Sequence, residues 1–343
     1  VLRQAALAEP TVQFRTGVGV DGLTSSAPGR IDGAALHTGE RVEGDVVIAS
    51  TGRRGDVPGW LDAHGIAVPE TVRESGLMYL TRWYRLPPTR DFDLAKLGGD
   101  LQFVKYLAVP GDGHTLSVTL AIRPDDKDLR NALSAAAGFE AACRALPGPD
   151  QFFTGEPLEP IGDVRPMTGL LNRVRRFSDD NGEPTVLGFH AIGDAHTCTN
   201  PLYGRGCSLA MVQAVLLADA TAANPGDPHR RAVDYEAACK REVEPWFDVS
   251  VQMDKAGADP TGFVADGGAG NRMAALFVAA ATDPIIGRGL ARFWNLLATP
   301  ADMMTDGELL NRMAEVMANP DAYPVPEREG PSRTQLLATL EAA

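Results

Sequence analysis

GDAHTCTNPLYGRGCSLA, residues 193–210, joins two apolar runs: TVLGFHAI (185–192) before it and MVQAVLLADA (211–220) after it. The first run predicts a strand and the second a long helix, so a glycine-rich loop links the end of a strand to the start of a helix. A strand end followed by a helix N-terminus is where open α/β sheets bind ligands. Asp194 would sit just past the strand. Its short carboxylate can accept hydrogen bonds from two sugar hydroxyls. Gly193 lets backbone approach a ligand closely. Pro201, Gly204 and Gly206 would shape a tight loop, and the positive end of the helix from about 206 to 222 would face an electron-rich ring such as reduced flavin.

Working outward, residues 45–50 (DVVIAS) read as a strand buried on both faces, ending in the glycine-rich turn TGRRGDVPGWL (51–61). TVQFRTGVGV (11–20), GRIDGAALHTG (29–39) and ERVEGDVVIAS (40–50) alternate as strands do. GLMYLTRWYRL (76–86), LQFVKYLAV (101–109) and TLSVTLAI (115–122) are separated by short Pro/Gly loops, which predicts an antiparallel sheet. A helix is expected over 127–146, then strands at 158–166 and 171–178. Past residue 220 the spacing is helical in 232–256, 270–281, 285–298 and 306–318.

Composition narrows the function. The chain has 343 residues, 44% hydrophobic and 22% charged, with a net charge of −13. That charge disfavours nucleic acid and anionic membrane surfaces as partners. Four cysteines without CxxC spacing suit a reducing, cytoplasmic compartment. No apolar run reaches the roughly 18 residues of a bilayer span, so no stable membrane insertion is expected. GVGVDG (17–22) matches a dinucleotide fingerprint by letter only, because no helix follows it. GCSLA (206–210) is not a nucleophile elbow, because Ser208 follows a long loop. His190 and His196 lack metal-ligand spacing, and no metal site is expected.

The motif order resembles the flavoprotein monooxygenases of the para-hydroxybenzoate hydroxylase type. GDAHTCTNPLYGRGCSLAMVQAVLLAD (193–219) resembles their GD-x(n)-P-x-x-G-x-G element, and GDVVIASTGRRGDVPGWL (44–61) their second flavin motif. The Asn-Pro-Leu-Tyr-Gly-Arg-Gly version is closest to the epoxidase branch. The absence of a Trp-x-Trp-x-Ile-Pro signature argues against a halogenase. The resemblance covers about 1–220. It implies an α/β (α+β) fold: a Rossmann-like FAD/NAD(P)-binding domain in two pieces (1–70 and 181–222), an inserted antiparallel substrate sheet with a helix (71–180), and a helical C-terminal region (223–343).

The resemblance also implies roles. Asp194 would hold the ribityl chain of FAD, and Gly193 would lie near the pyrophosphate. Pro201, Gly204, Arg205 and Gly206 would lie along the isoalloxazine, with the amides of Gly206 and Cys207 near its pyrimidine edge. Gly52 and Arg53 would sit on the pyrophosphate side. NAD(P)H would reduce the flavin, and a C4a-hydroperoxide would hydroxylate or epoxidise an apolar or aromatic small molecule. Tyr79, Trp83, Phe103 and Tyr106 are candidates to line the substrate pocket; no general base stands out. The family's strand–GxGxxG–helix unit is not found, and VLRQAALAE (1–9) reads as the tail of a helix already under way, so an N-terminally truncated chain is expected. Thr51 and Gly55 also depart from the second motif. The rival readings are a flavin-dependent reductase or dehydrogenase of the geranylgeranyl-reductase kind, and a fragment that no longer binds flavin.

Overall fold

The computed structural model describes residues 1–258, 269–324 and 329–343. In chain order its elements are α1 (Leu2–Ala8), β1 (Val20–Thr24), β2 (Gly33–Leu36), β3 (Arg41–Glu43), β4 (Val47–Ala49), α2 (Val57–Asp62), β5 (Glu70–Glu74) and β6 (Met78–Arg85). There follow β7 (Gly98–Asp100), β8 (Val104–Gly111), β9 (Thr115–Ile122), α3 (Lys127–Ser134), α4 (Ala136–Ala145), α5 (Asp150–Phe153), β10 (Pro160–Met167) and β11 (Leu171–Arg175). The chain continues through β12 (Phe189–Ala191), β13 (Thr197–Cys198), α6 (Gly206–Ala223), α7 (Pro228–Glu242) and α8 (Glu244–Ala258). It closes with α9 (Ala269–Ala279), α10 (Pro284–Trp294), α11 (Pro300–Met303), α12 (Gly307–Ala318) and α13 (Arg333–Glu341).

These elements form two compact units: residues 1–72 with 173–247, and 73–172 with 248–343. The helical C-terminal region therefore does not stand apart. α7 belongs to the first unit, and α9 to α13 belong to the second.

In the first unit, β1, β2 and β3 form an antiparallel meander. β12 lies parallel to β4 with Phe189, His190 and Ala191 opposite Val47, Ile48 and Ala49. One apolar cluster joins Ala49, Val57, Leu61, Phe177, Phe189, Ala191 and Ala195. The run 45–50 is not buried on both faces as expected. Strand alternation turns Val47 and Ala49 inward, and Ile48 is left 49% exposed. The strand expected over 11–20 does not form either: Val12 and Phe14 are exposed, and the first strand begins at Val20. GVGVDG runs into this antiparallel strand and not into a helix.

In the second unit the five-stranded sheet has the order β10-β6-β9-β8-β7, all antiparallel. Even-numbered residues of β6 (Met78, Leu80, Tyr84) share a core with Phe139 and Cys143 of α4 and Phe152 of α5. Each such side chain, fully withdrawn from water, contributes about 1.5–3 kcal/mol. The single helix expected over 127–146 is broken. Ala135 is extended, and the new helix starts so close that a Cβ on Gly138 would lie 2.2 Å from the Ala132 carbonyl oxygen. Likewise 232–256 forms two helices separated at Val243, just before Pro245 at the second position of α8.

α6 is longer than the apolar runs read from the sequence. Its 18 residues have a mean hydropathy of 1.5, long and apolar enough to cross a bilayer, and 22% of them are buried. Leu209, Gln213, Leu217 and Ala220 form its buried stripe. Arg272–Ala279 and Pro284–Trp294 reach that length and hydropathy only together, as a pair bent by 100°.

Candidate functional site

Both motif loops leave the same end of the parallel pair. β4 stops at Ala49 and β12 at Ala191, and the Ile192 N–H donates to the Ala49 carbonyl at 3.0 Å. The loop after β4 turns at Gly52, whose φ of +69° is in the left-handed region. It then enters α2, capped by Asp56, which accepts from the Gly59 N–H at 3.1 Å. The departure at Thr51 and Gly55 has a steric reason: a Cβ on Gly55 would fall 1.9 Å from Thr51 Oγ1, so serine cannot follow threonine here without a shift.

The loop after β12 turns at Gly193, with φ +61°. A side chain there would come 3.2 Å from the Ala210 Cβ of α6. The Gly193 N–H donates to Gln213 Oε1 at 2.7 Å, which ties the turn to the buried stripe of the helix. Asp194 is half-buried, and Oδ1 lies 3.8 Å from where a Cβ on Gly206 would sit. Burial pushes the Asp194 carboxyl up, against the opposing pull of the Cys198 thiol and the Arg173 and Arg53 guanidiniums. The Cys198 thiol is in turn pushed up to about 11 by burial and by Asp194.

Pro201–Tyr203 forms one 3-10 turn, which Gly204 ends with a φ of +66°. α6 then begins with no side-chain cap, whereas α2, α3, α7, α10, α12 and α13 are each capped by an Asp or Ser. The first-turn N–H groups of a helix have no partner within it. The start of α6, Gly206 and Cys207 included, thus presents donors and a positive dipole end beside Asp194.

Sequence reading missed two arginines of β11. Arg173 Nη2 donates to the carbonyls of Arg53 (3.0 Å) and Asp194 (3.1 Å). Arg175 Nη1 donates to the Ala195 carbonyl at 2.9 Å, and its Nε pairs with Glu70. The i, i+2 spacing places both on one face of the strand. "LNRVR" carries that spacing, but only the fold shows which carbonyls it reaches.

Arg205 corrects another expectation. Its side chain is 2% exposed, with the guanidinium 4.8 Å from the centre of the Trp246 ring and 5.7 Å from that of Tyr203. It packs inward, so its contribution to a ligand would come from backbone. The four aromatics proposed for one pocket are also divided between the two faces of the sheet. Tyr106 and Phe103 pack in or against the helix-covered core, and the Tyr106 ring fills space beside Gly99 and Gly148. Tyr79 and Trp83 lie on the other face. There Trp83 (41% exposed), Leu107 (46%), Val109 (42%), Ile161 (37%) and Met167 (45%) form an open apolar surface. His190 and His196 are buried, each edge-on to Tyr235.

A half-buried carboxylate, an uncapped helix start and two glycine turns at the ends of adjacent parallel strands together offer acceptors for hydroxyl groups, backbone donors for an electron-rich edge and close backbone approach. Solved structures share the fold that carries these loops. The brominase Bmp2, a flavin-dependent enzyme described as a triple mutant, superposes with a TM-score of 0.54 at 17% identity over 88% of this chain and 70% of its own. PqsL of Pseudomonas aeruginosa, described as a probable FAD-dependent monooxygenase, gives 0.54 at 18% over 75% and 70%. This chain has the fold of flavin-dependent monooxygenases. The same fold also serves the Diels-Alderase PyrE3 (TM-score 0.58, 15% identity, 81% of this chain and 55% of that one), so fold alone does not select a reaction. No family model and no curated protein matches the sequence.

Proposed function

We propose that the protein is an FAD-dependent oxidoreductase, and within that class an NAD(P)H-driven monooxygenase that hydroxylates or epoxidises an apolar or aromatic small molecule. One observation carries the reading. Asp194 and the uncapped start of α6 share one loop, at the same strand ends as the Gly52 turn. A bound flavin would supply the redox chemistry, taking two electrons from nicotinamide and passing them to oxygen. The chain's own residues hold and orient. Asp194 accepts from sugar hydroxyls, the Gly206 and Cys207 amides donate to the ring's electron-rich edge, and Gly52 and Gly193 admit backbone at the pyrophosphate. Arg53 would add positive charge on that side.

In the second unit, the open sheet face with Trp83, Leu107 and Val109, which also carries the buried Tyr79, suits an apolar substrate. The charge of −13 argues against nucleic acid as a partner. The reducing-compartment reading of the cysteines supports a cytoplasmic location, and the packing of α6 on α7 through its buried stripe supports a helix that does not insert in a membrane.

The decisive experiment is FAD titration of the purified protein, followed by NAD(P)H consumption with and without oxygen in the presence of apolar aromatic substrates. Oxygen-dependent consumption supports the monooxygenase. Turnover only without oxygen would establish the reductase instead. The rival reading is a flavin-free module of the same fold. A protein that stays colourless with excess FAD would select it.

A further inference from the structure

We propose that Arg173 is a positioning residue that couples the two glycine loops, so that ligand contacts made by one loop depend on the other. For its ligand the proposal rests on the flavin reading above. One nitrogen, Nη2, donates to the Arg53 carbonyl and to the Asp194 carbonyl, and these two carbonyls lie just beyond the ends of β4 and β12. The strands hydrogen-bond to each other, but their loops diverge towards α2 and α6. Arg173 bridges them after the strand pairing has ended.

The side chain is 8% exposed, and its Nε is sealed from solvent with no hydrogen-bond partner among the described residues. Arg173 therefore acts on the loops from behind. Its neighbour Arg175 shows what a structural arginine looks like here. Arg175 binds one loop carbonyl and is anchored by Glu70, whereas Arg173 forms no ion pair among the described residues. A buried guanidinium without a direct ion pair gives a poor return in stability, and apolar residues of similar size often serve as well or better. Its terminal Nη2, however, carries two hydrogens fixed in the guanidinium plane, one for each carbonyl; an apolar side chain has neither, and the rotating ammonium of lysine does not hold them in one plane.

Two measurements test this, with Arg173→Met and the milder Arg173→Lys. The first is amide hydrogen exchange on the chain without cofactor. Segments 51–56 and 193–198 should both exchange at least about tenfold faster in Arg173→Met, and less so in Arg173→Lys, while α7 is unchanged. The second is a double-mutant cycle on FAD affinity, read by flavin fluorescence, with Gly52→Ala and Asp194→Asn. In the wild-type background the combined loss should depart from the product of the single losses by about fivefold or more. In the Arg173→Met background it should fall within about twofold of that product. An arginine that is merely structural would leave the departure the same in both backgrounds, and that result would overturn the proposal. Faster exchange at only one loop, or at neither, would also overturn it. If Arg173→Met does not fold, Arg173→Lys carries both measurements. If the wild-type protein binds no FAD, the flavin reading fails and the exchange measurement alone decides the coupling.

Discussion

Replacing Asp194 should move affinity and stability in opposite directions. The carboxylate is half-buried, and burial raises its pKa. An acid whose folded pKa lies above its unfolded value weakens the fold once it ionises, so the cofactor-free protein loses stability as pH rises through the interval between the two values. Asp194→Asn removes that loss. The variant without cofactor should be more stable than wild type at pH 7, and the difference should vanish below about pH 3.8, where both states of the wild type are protonated. Flavin affinity should fall. A hydrogen bond to a charged group is worth about 1.5–3 kcal/mol. Asn keeps one oxygen acceptor and forfeits the charge, so about 1.5 kcal/mol, or roughly tenfold in Kd, is expected; Asp194→Ala loses both bonds, about 3 kcal/mol or a hundredfold. Urea denaturation at several pH values and flavin-fluorescence titration measure the two effects. The reasoning fails if Asp194→Asn binds FAD as tightly as wild type, or if it is less stable than wild type at pH 7.

Three further outcomes follow from the same unit. A Cβ on Gly188, where φ is +75°, would fall 2.2 Å from the Ile31 carbonyl oxygen, so Gly188→Ala should cost about 3 kcal/mol or more in urea denaturation and disturb the start of β12. Arg175→Met leaves the Ala195 carbonyl and Glu70 without their donor and should cost about 2 kcal/mol, measured the same way. Burial lowers His190 to about 4, with help from Arg231. The unfolded chain then binds the extra proton first, and stability should fall by about 3 kcal/mol as pH drops from 6.5 to 4. His190→Phe should flatten that slope in a pH series of denaturation curves.

Element type was legible wherever a local signal sufficed. The two-residue alternation in 76–86 and 115–122 appears as paired antiparallel strands, and the apolar run after Gly206 appears as α6. Breaks were less legible. Ala135 is extended between α3 and α4, and Gly138 then packs on the Ala132 carbonyl, a contact with no local sequence marker. The strand expected over 11–20 lacks a partner among the described residues, and alternation without a partner does not make a sheet.

The residues of a candidate ligand loop could be named from the sequence because its chemistry is compressed into one short stretch: a glycine turn, a carboxylate and a helix start within fifteen residues. Which side chains serve that loop was a matter for the tertiary structure. Arg205 lies inside the motif but packs against Trp246, and Tyr106 shares a strand signal with Trp83 but packs on the opposite face. Arg173 lies outside every motif and reaches both loops. Spacing along the chain determines which face of a strand or helix a residue occupies. What that face meets depends on contacts between distant segments, and those exist only once the chain has folded.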